Sequence, residues 1–317
     1  MSTSGTVTYS VNESEIIRDA LTEIGYLDHT ETPSADDLVV ARRKLNLLVK
    51  QWTSQLDFAP GLKMWTRRTA YLFLQNGQVQ YSIGPSGDHA TESYVHTTLT
   101  ADAAQGAGTV VVASATGIAN TYNIGVVLNS GAIQWTTVNG APAGSTVTLA
   151  ATLTGPASSG NTVFCYQSKP RRPFEILSGV LRDTDGNDTP IDVNMSLAEY
   201  EVIYSKTSDG VPSRLYFEAQ RTNAVVYIDC APEDVTNVLR LPYNSYVEDF
   251  SAQVDDADFP AEWARPLCLQ LASDCCRPFG KSVPPDLRED LAEALAMARK
   301  AYPQNVVAEY QSCPDEY

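Results

Sequence analysis

Histidine is almost absent. The 317-residue chain has three, His29, His89 and His96, with no HxxxH or HExxH spacing and no cysteine at ligand spacing from any of them. A zinc site or a histidine-based triad would have to be assembled from distant residues. Cysteine is also scarce: Cys165, Cys230, Cys268, Cys275, Cys276 and Cys313 contain no CxxC pair. Adjacent Cys275 and Cys276 fall on opposite flanks of any helix and cannot clamp one ion together. They read as buried apolar thiols, and no disulfide framework is expected. GxSxG, GxxxxGK and a helix-opening GxGxxG are missing too. No apolar run approaches the roughly 20 residues of a membrane span. Residues 1–9 are polar, so no secretory signal is expected.

Positive charge is in short supply. Lys plus Arg is 22 against 38 Asp plus Glu, a net charge of −16. Such a chain does not grip nucleic acid through its whole surface or dock on anionic lipid. At 43% hydrophobic and 19% charged residues it is a foldable globular composition. A prior of roughly 150 residues per domain gives about two domains.

The first 60 residues read as two helices. Asn12 with Glu15 fits a capping box, followed by Ile17, Ala20, Leu21, Ile24 and Leu27 at helical spacing. A second start is offered by Thr32 with Pro33, or by Ser34 with Asp37. Leu38, Leu45, Leu48, Trp52 and Leu56 then form one apolar stripe, with Arg42, Arg43 and Lys44 around it. After Pro60-Gly61 the period becomes two. Residues 66–74 and 78–83 read as strands of one hairpin, turned at Asn76-Gly77. Residues 91–168 contain no Lys or Arg, and only Glu92 and Asp102 are acidic. Short strands are expected there at 109–113, 124–128, 132–138, 146–150 and 162–166. Further strands are expected at 174–182, 189–195, 214–218, 224–229 and 236–242, with a capped helix opening at Ser196 and Glu199. Trp263, Leu267, Leu271 and Cys275 mark one C-terminal helix; Leu287, Leu291, Ala294, Leu295 and Ala298 mark another. Residues 303–317 read as an arm.

The expected fold is therefore α+β. Its helical core has two N-terminal and two C-terminal helices with an antiparallel β region, and carries an inserted small all-β domain. The core spans residues 1–90 and 169–317; the insert, a sandwich or barrel, spans 91–168.

Chemistry-bearing patterns are weak. Asp183, Asp185 and Asn187 sit at alternate positions of a calcium loop, but Asp188 stands where the loop needs glycine and Asn194 where it needs glutamate. A turn on Asp185-Gly186 explains them better. The acidic run 248–262 reads as a solvated or interface loop. Spacing alone nominates no carboxylate pair for glycoside hydrolysis. The pairs Arg42-Arg43, Arg67-Arg68 and Arg171-Arg172 read as local ion pairs, contacts to an acidic partner subunit, or glancing contacts to DNA phosphate.

One ordered set of residues resembles a known family. It comprises Leu21-Thr22-Glu23-Ile24-Gly25-Tyr26-Leu27, Glu31-Thr32-Pro33-Ser34-Ala35, Leu45-Asn46-Leu47-Leu48 and Trp52. Tyr81-Ser82-Ile83-Gly84, Gly87-Asp88, Arg172-Pro173, Ser196-Leu197-Ala198-Glu199-Tyr200, Gly210-Val211-Pro212 and Leu215-Tyr216-Phe217 follow in order. Together they resemble the tail accessory factors of tailed bacteriophages, the packaged-DNA stabilisation or head-to-tail adaptor proteins, over residues 10–90 and 169–300. The resemblance implies a non-enzymatic virion protein with no cofactor and no metal, made in the host cytoplasm and placed at the head-to-tail interface. Its partners would be the portal protein, further copies of itself as a dodecameric ring, and a downstream tail nozzle, tube or needle protein. Double-stranded DNA would pass without sequence-specific binding, no membrane is involved, and an acidic wall would avoid tight phosphate contacts. Candidate subunit or partner contacts are Arg42, Arg43, Arg67, Arg68, Arg171, Arg172 and Trp263. The alternatives are a virion-associated cell-wall hydrolase and a carbohydrate-binding or adhesion protein. The latter would stack Tyr94, Tyr122, Trp135, Phe164 and Tyr166 on sugars.

Overall fold

Asn12 caps the first helix as its pairing with Glu15 requires: Glu15 N donates to Asn12 Oδ1 at 3.0 Å, and Asn12 N donates to Glu15 Oε2 at 3.1 Å. The helices are α1 (Glu13–Glu23), α2 (Ala35–Ser54), α3 (Leu197–Glu201), α4 (Ala264–Cys276) and α5 (Leu287–Lys300). The computed structural model describes residues 9–54 and 65–300. The readings placed on residues 1–8, Leu56, Pro60-Gly61, Cys313 and the arm at 303–317 lie outside those residues. Of the two starts offered to α2, Ser34 is used: Asp37 N donates to Ser34 Oγ at 3.2 Å, and Ser34 N donates back to Asp37 Oδ2 at 3.1 Å.

The chain divides into two compact units, one of residues 1–65 and 247–317, the other of residues 66–246. In the helical unit, α4 packs against α1, α2 and α5. Ile16, Ile17 and Leu21 of α1, Leu45 and Trp52 of α2, Leu267, Leu271 and Cys275 of α4 and Leu287 of α5 share one buried cluster. Amphipathic stripes at 3.6-residue spacing make this cluster, and burying them supplies its stability.

The second unit is built from strands. They are β1 (Arg67–Phe73), β2 (Gln80–Ile83), β3 (Ala90–Thr91), β4 (Val95–Thr98), β5 (Thr109–Val111), β6 (Asn123–Val127), β7 (Ile133–Thr137), β8 (Thr146–Thr148) and β9 (Thr162–Tyr166). They continue as β10 (Pro173–Ile176), β11 (Gly179–Arg182), β12 (Asp188–Ile191), β13 (Asp209–Gly210), β14 (Leu215–Glu218), β15 (Ala224–Ile228), β16 (Ala231–Pro232) and β17 (Val238–Ser245). A six-stranded sheet runs β12-β11-β17-β1-β3, with β10 also on β17. A three-stranded sheet runs β14-β15-β2 and a four-stranded sheet β4-β9-β6-β7.

This overturns the expected helical core with a small inserted β domain. Among the described residues strand exceeds helix, 29% against 24%, and every named strand lies in the second unit. Segment 91–168 is part of that unit. Phe73 of β1 and Val238 of β17 share a buried cluster with Val127, Ile133, Phe164 and Tyr166 from within the segment. One continuous apolar contact therefore joins the segment to the six-stranded sheet, whose strands β1 and β17 flank it in sequence.

The hairpin at Asn76-Gly77 is also corrected. The turn exists, with Gly77 at φ 74° and Gln78 N donating to Gln75 O at 3.2 Å. The strands it joins part company: β1 pairs with β17 and β3, and β2 pairs with β15. Leu72 and Leu74 on one side and Tyr81 and Ile83 on the other bury into the same cluster from two sheets. Shared burial, rather than mutual hydrogen bonding, holds them.

Candidate functional site

The arginines singled out above fall into different environments. Arg42 on α2 reaches Glu13 on α1, Nε to Oε1 at 2.6 Å, and that carboxylate is 0% exposed. Arg43, one residue on, is exposed and makes no ion pair among the described residues. Arg68 Nη1 donates to Glu92 Oε2 at 3.1 Å, and Tyr243 OH donates to Glu92 Oε1 at 2.8 Å. Arg171 N donates to the same carboxylate at 3.4 Å. Arg68 and Arg171 thus meet at Glu92, one of the two acids of the charge-poor segment. Arg67 is exposed at the start of β1. Arg172 donates from Nη1 to Gln220 O at 2.8 Å and sits 5.0 Å from the centre of the Tyr246 ring. Trp263 is 1% exposed and packs edge-on against Trp52 at 6.3 Å. Its ring belongs to the helical core and is not available to a partner.

The other motifs resolve into local structure. Asp183 Oδ1 accepts from Asp185 N at 2.9 Å and Asn187 N at 2.8 Å, and Gly186 takes φ 89°. Hydrogen bonds from Asn187 hold the Asp183 carboxyl below its ordinary range. This is the tight turn of the β11–β12 hairpin, clasped by Arg182 on Asp188 at 2.7 and 2.8 Å. In the acidic run, Asp255 Oδ2 accepts from Ser251 N and Ala252 N, both at 2.7 Å, and Lys50 pairs with Asp249 at 2.8 Å. Among the described residues, no group of three or more His, Cys, Asp or Glu could hold a metal ion. No helix there is long and apolar enough to cross a membrane. Burial pushes the Cys165 thiol up to about 11 and those of Cys268 and Cys275 to about 12, which keeps them as unreactive thiols.

The aromatic rings of segment 91–168 are engaged in packing. Phe164 and Tyr166 are buried, Trp135 stacks on His89 at 4.1 Å and 6°, and Tyr94 packs edge-on against Phe73. Tyr122 packs against the segment's own cluster. His89 Nδ1 lies 2.8 Å from the Tyr166 hydroxyl. Burial, with the charge of Lys169 second, pushes this imidazole down to about 4. Between its ordinary 6.5 and about 4 the unfolded chain binds a proton that the folded chain refuses. The associated stability is therefore complete above pH 6.5 and lost as pH falls to 4, about 1–2 kcal/mol after discounting for partial exposure. His89→Gln should remove that share of the pH dependence. A proton NMR titration should find the ring neutral at pH 5; a midpoint near 6.5 would contradict the burial argument.

Apart from Tyr9, Tyr26, Val254 and Met297, which are also exposed, two sets of exposed apolar residues stand out among the described residues that sequence periodicity did not nominate. On α2, Val39 is 66% and Leu47 61% exposed. With Arg42, Arg43, Asn46 and Lys50 they line a shallow groove of about 420 Å³. In the second unit, Leu197, Val202, Tyr204 and Val211 are exposed, Tyr204 completely. They lie on α3 and in the segment after it, which also carries the exposed acids Glu201 and Asp209. The signal for the first patch was present: Val39 and Leu47 are apolar residues lying off the buried stripe of α2. The second left no periodic trace, because α3 is one turn long. Compared with models of known protein families the chain matches none, and no curated protein matches it.

Proposed function

We propose that this chain is a structural virion protein of a tailed bacteriophage. As a ring of copies, twelve by analogy with the family it resembles, it docks under the portal, extends the DNA channel, retains packaged DNA and offers the platform on which the tail is built. The observation that carries this reading is exposed apolar surface on each unit: Val39 and Leu47 over the α2 groove, and Leu197, Val202, Tyr204 and Val211 on α3 and after it. An exposed apolar groove marks a site of protein association.

The residues behind the family resemblance support it by the work they do. Gly25, at φ 62°, terminates α1, and Tyr26 donates to Asp37 Oδ1 at 3.1 Å while its ring packs on Phe279 at 4.6 Å. Asp88 Oδ2 accepts from Ser82 N at 2.7 Å. A side chain on Gly87 would place Cβ 2.2 Å from Ser82 O, so only glycine fits that turn. Ser196 and Glu199 cap α3. Each residue shapes the backbone, as expected when a resemblance is one of architecture.

The test is a mass measurement by native mass spectrometry on the purified chain, alone and mixed with its cognate portal protein. The proposal expects a monomer alone and a defined ring of many copies with portal. A chain that stays monomeric alongside an assembled portal overturns it.

A further inference from the structure

We propose that neighbouring copies in this ring join head to tail, the α3 loop of one copy seating its apolar tip on the α2 groove of the next. The inference rests on the ring reading above and names the contact that closes it. The two surfaces match in chemistry. The groove offers Val39 and Leu47, separated by eight residues, or about 12 Å along the helix. Arg42, Arg43 and Lys50 line the groove; Arg42 is paired with Glu13 and Lys50 with Asp249, which leaves Arg43 as the cation without an ion pair among the described residues. The loop offers Leu197, Val202 and Tyr204, with Glu201 exposed and without a partner among the described residues. Lys206, the one cation of the loop, is turned inward: its Nζ donates to Glu201 O at 3.3 Å and Ile203 O at 3.2 Å and lies over the Tyr200 ring. The loop therefore presents apolar side chains beside the exposed acid Glu201, and the groove an apolar floor beside the exposed cation Arg43.

Charge also decides the symmetry. Two α2 grooves face to face would oppose Arg43 to Arg43. Two loops face to face would oppose Glu201 to Glu201. Like charges brought together at an interface are penalised, whereas groove on loop pairs Arg43 with Glu201. A contact between two different surfaces of identical subunits is heterologous, and it generates a closed ring when its rotation closes.

Charge exchange tests this on the full chain with portal present. Arg43→Glu and Glu201→Arg are both surface changes, and unchanged thermal midpoints would show that each variant folds. Each variant alone should need at least about tenfold more protein to assemble. Mixing the two in equal amounts should restore assembly, because every contact in an alternating ring then pairs opposite signs. Leu47→Cys combined with Tyr204→Cys should give an oxidation ladder of linked subunits. Rings that form normally from either single variant, with no ladder, overturn the proposed contact and leave the ring standing. A wild-type chain that never forms a ring overturns the ring itself, and this contact with it.

Discussion

Arg42→Ala is expected to lower the stability of the helical unit by about 3–5 kcal/mol, read as a fall in its denaturant midpoint. Glu13 is fully buried at the start of α1, and Arg42 Nε is its only charged partner among the described residues, 2.6 Å from Oε1. The second oxygen, Oε2, is buried with no hydrogen-bond partner there. Removing the guanidinium strands a carboxylate in the core, and that desolvation cost greatly exceeds the value of a surface pair. Adding Glu13→Gln to the same chain removes the stranded charge and should recover most of the loss. The effect should also resist added salt, since a buried pair is poorly screened. A loss below about 1 kcal/mol would mean that water reaches Glu13.

Phe73→Ala is expected to cost the β unit a similar amount, about 3–5 kcal/mol, because it empties the centre of an aromatic cluster. Phe73 is 1% exposed, with Phe164 at 4.9 Å, Trp135 at 5.0 Å, Tyr94 at 5.4 Å and Tyr166 at 5.7 Å between ring centres. One of these rings belongs to a strand preceding segment 91–168 and four to the segment itself. The variant should lower the stability of the segment and of the six-stranded sheet together, as one earlier transition in calorimetry and near-ultraviolet dichroism. Phe73→Leu, which keeps most of the volume, should cost about 1–2 kcal/mol. A variant in which segment 91–168 melts separately while the sheet is unchanged would show that the two are independent.

These two sites also show which parts of the fold could be read from sequence. Asn12 with Glu15, Ser34 with Asp37 and Ser196 with Glu199 were legible because each cap closes within four residues. The turn at Asn76-Gly77 was legible for the same reason, but the pairing of its strands was not. The partner of β1 is β17, at the far end of the unit's sequence, and β2 joins them only by burial, with Tyr81 in the same cluster as Leu72 and Leu239. The fold class failed on similar grounds. Helical stripes at both chain ends announce themselves over many residues, whereas strands mostly of two to five residues look like decoration until their sheets are assembled.

Site residues followed the same rule. Arg42 and Arg43 are consecutive, yet one is tied to a buried carboxylate and the other is free to meet a partner. Helical geometry turns neighbours to different faces, and a pair read as a pair hides that. Trp263, a candidate contact, stands on the same apolar stripe as Leu267, Leu271 and Cys275, and that stripe is the face the core closes over. Val39 and Leu47 could have been found by asking which apolar residues of α2 miss its buried stripe. Tyr204 could not, because nothing within a one-turn helix and loop distinguishes an exposed tyrosine from a buried one.

The most direct measurement is an electron-microscopy reconstruction of the portal vertex, from particles assembled with the chain and from particles assembled without it. An added ring of density below the portal, built of copies of this subunit, present only in the first set and accompanied by retained DNA, is the expected result. Identical vertices in both sets, or particles from which the chain is missing altogether, would contradict the account.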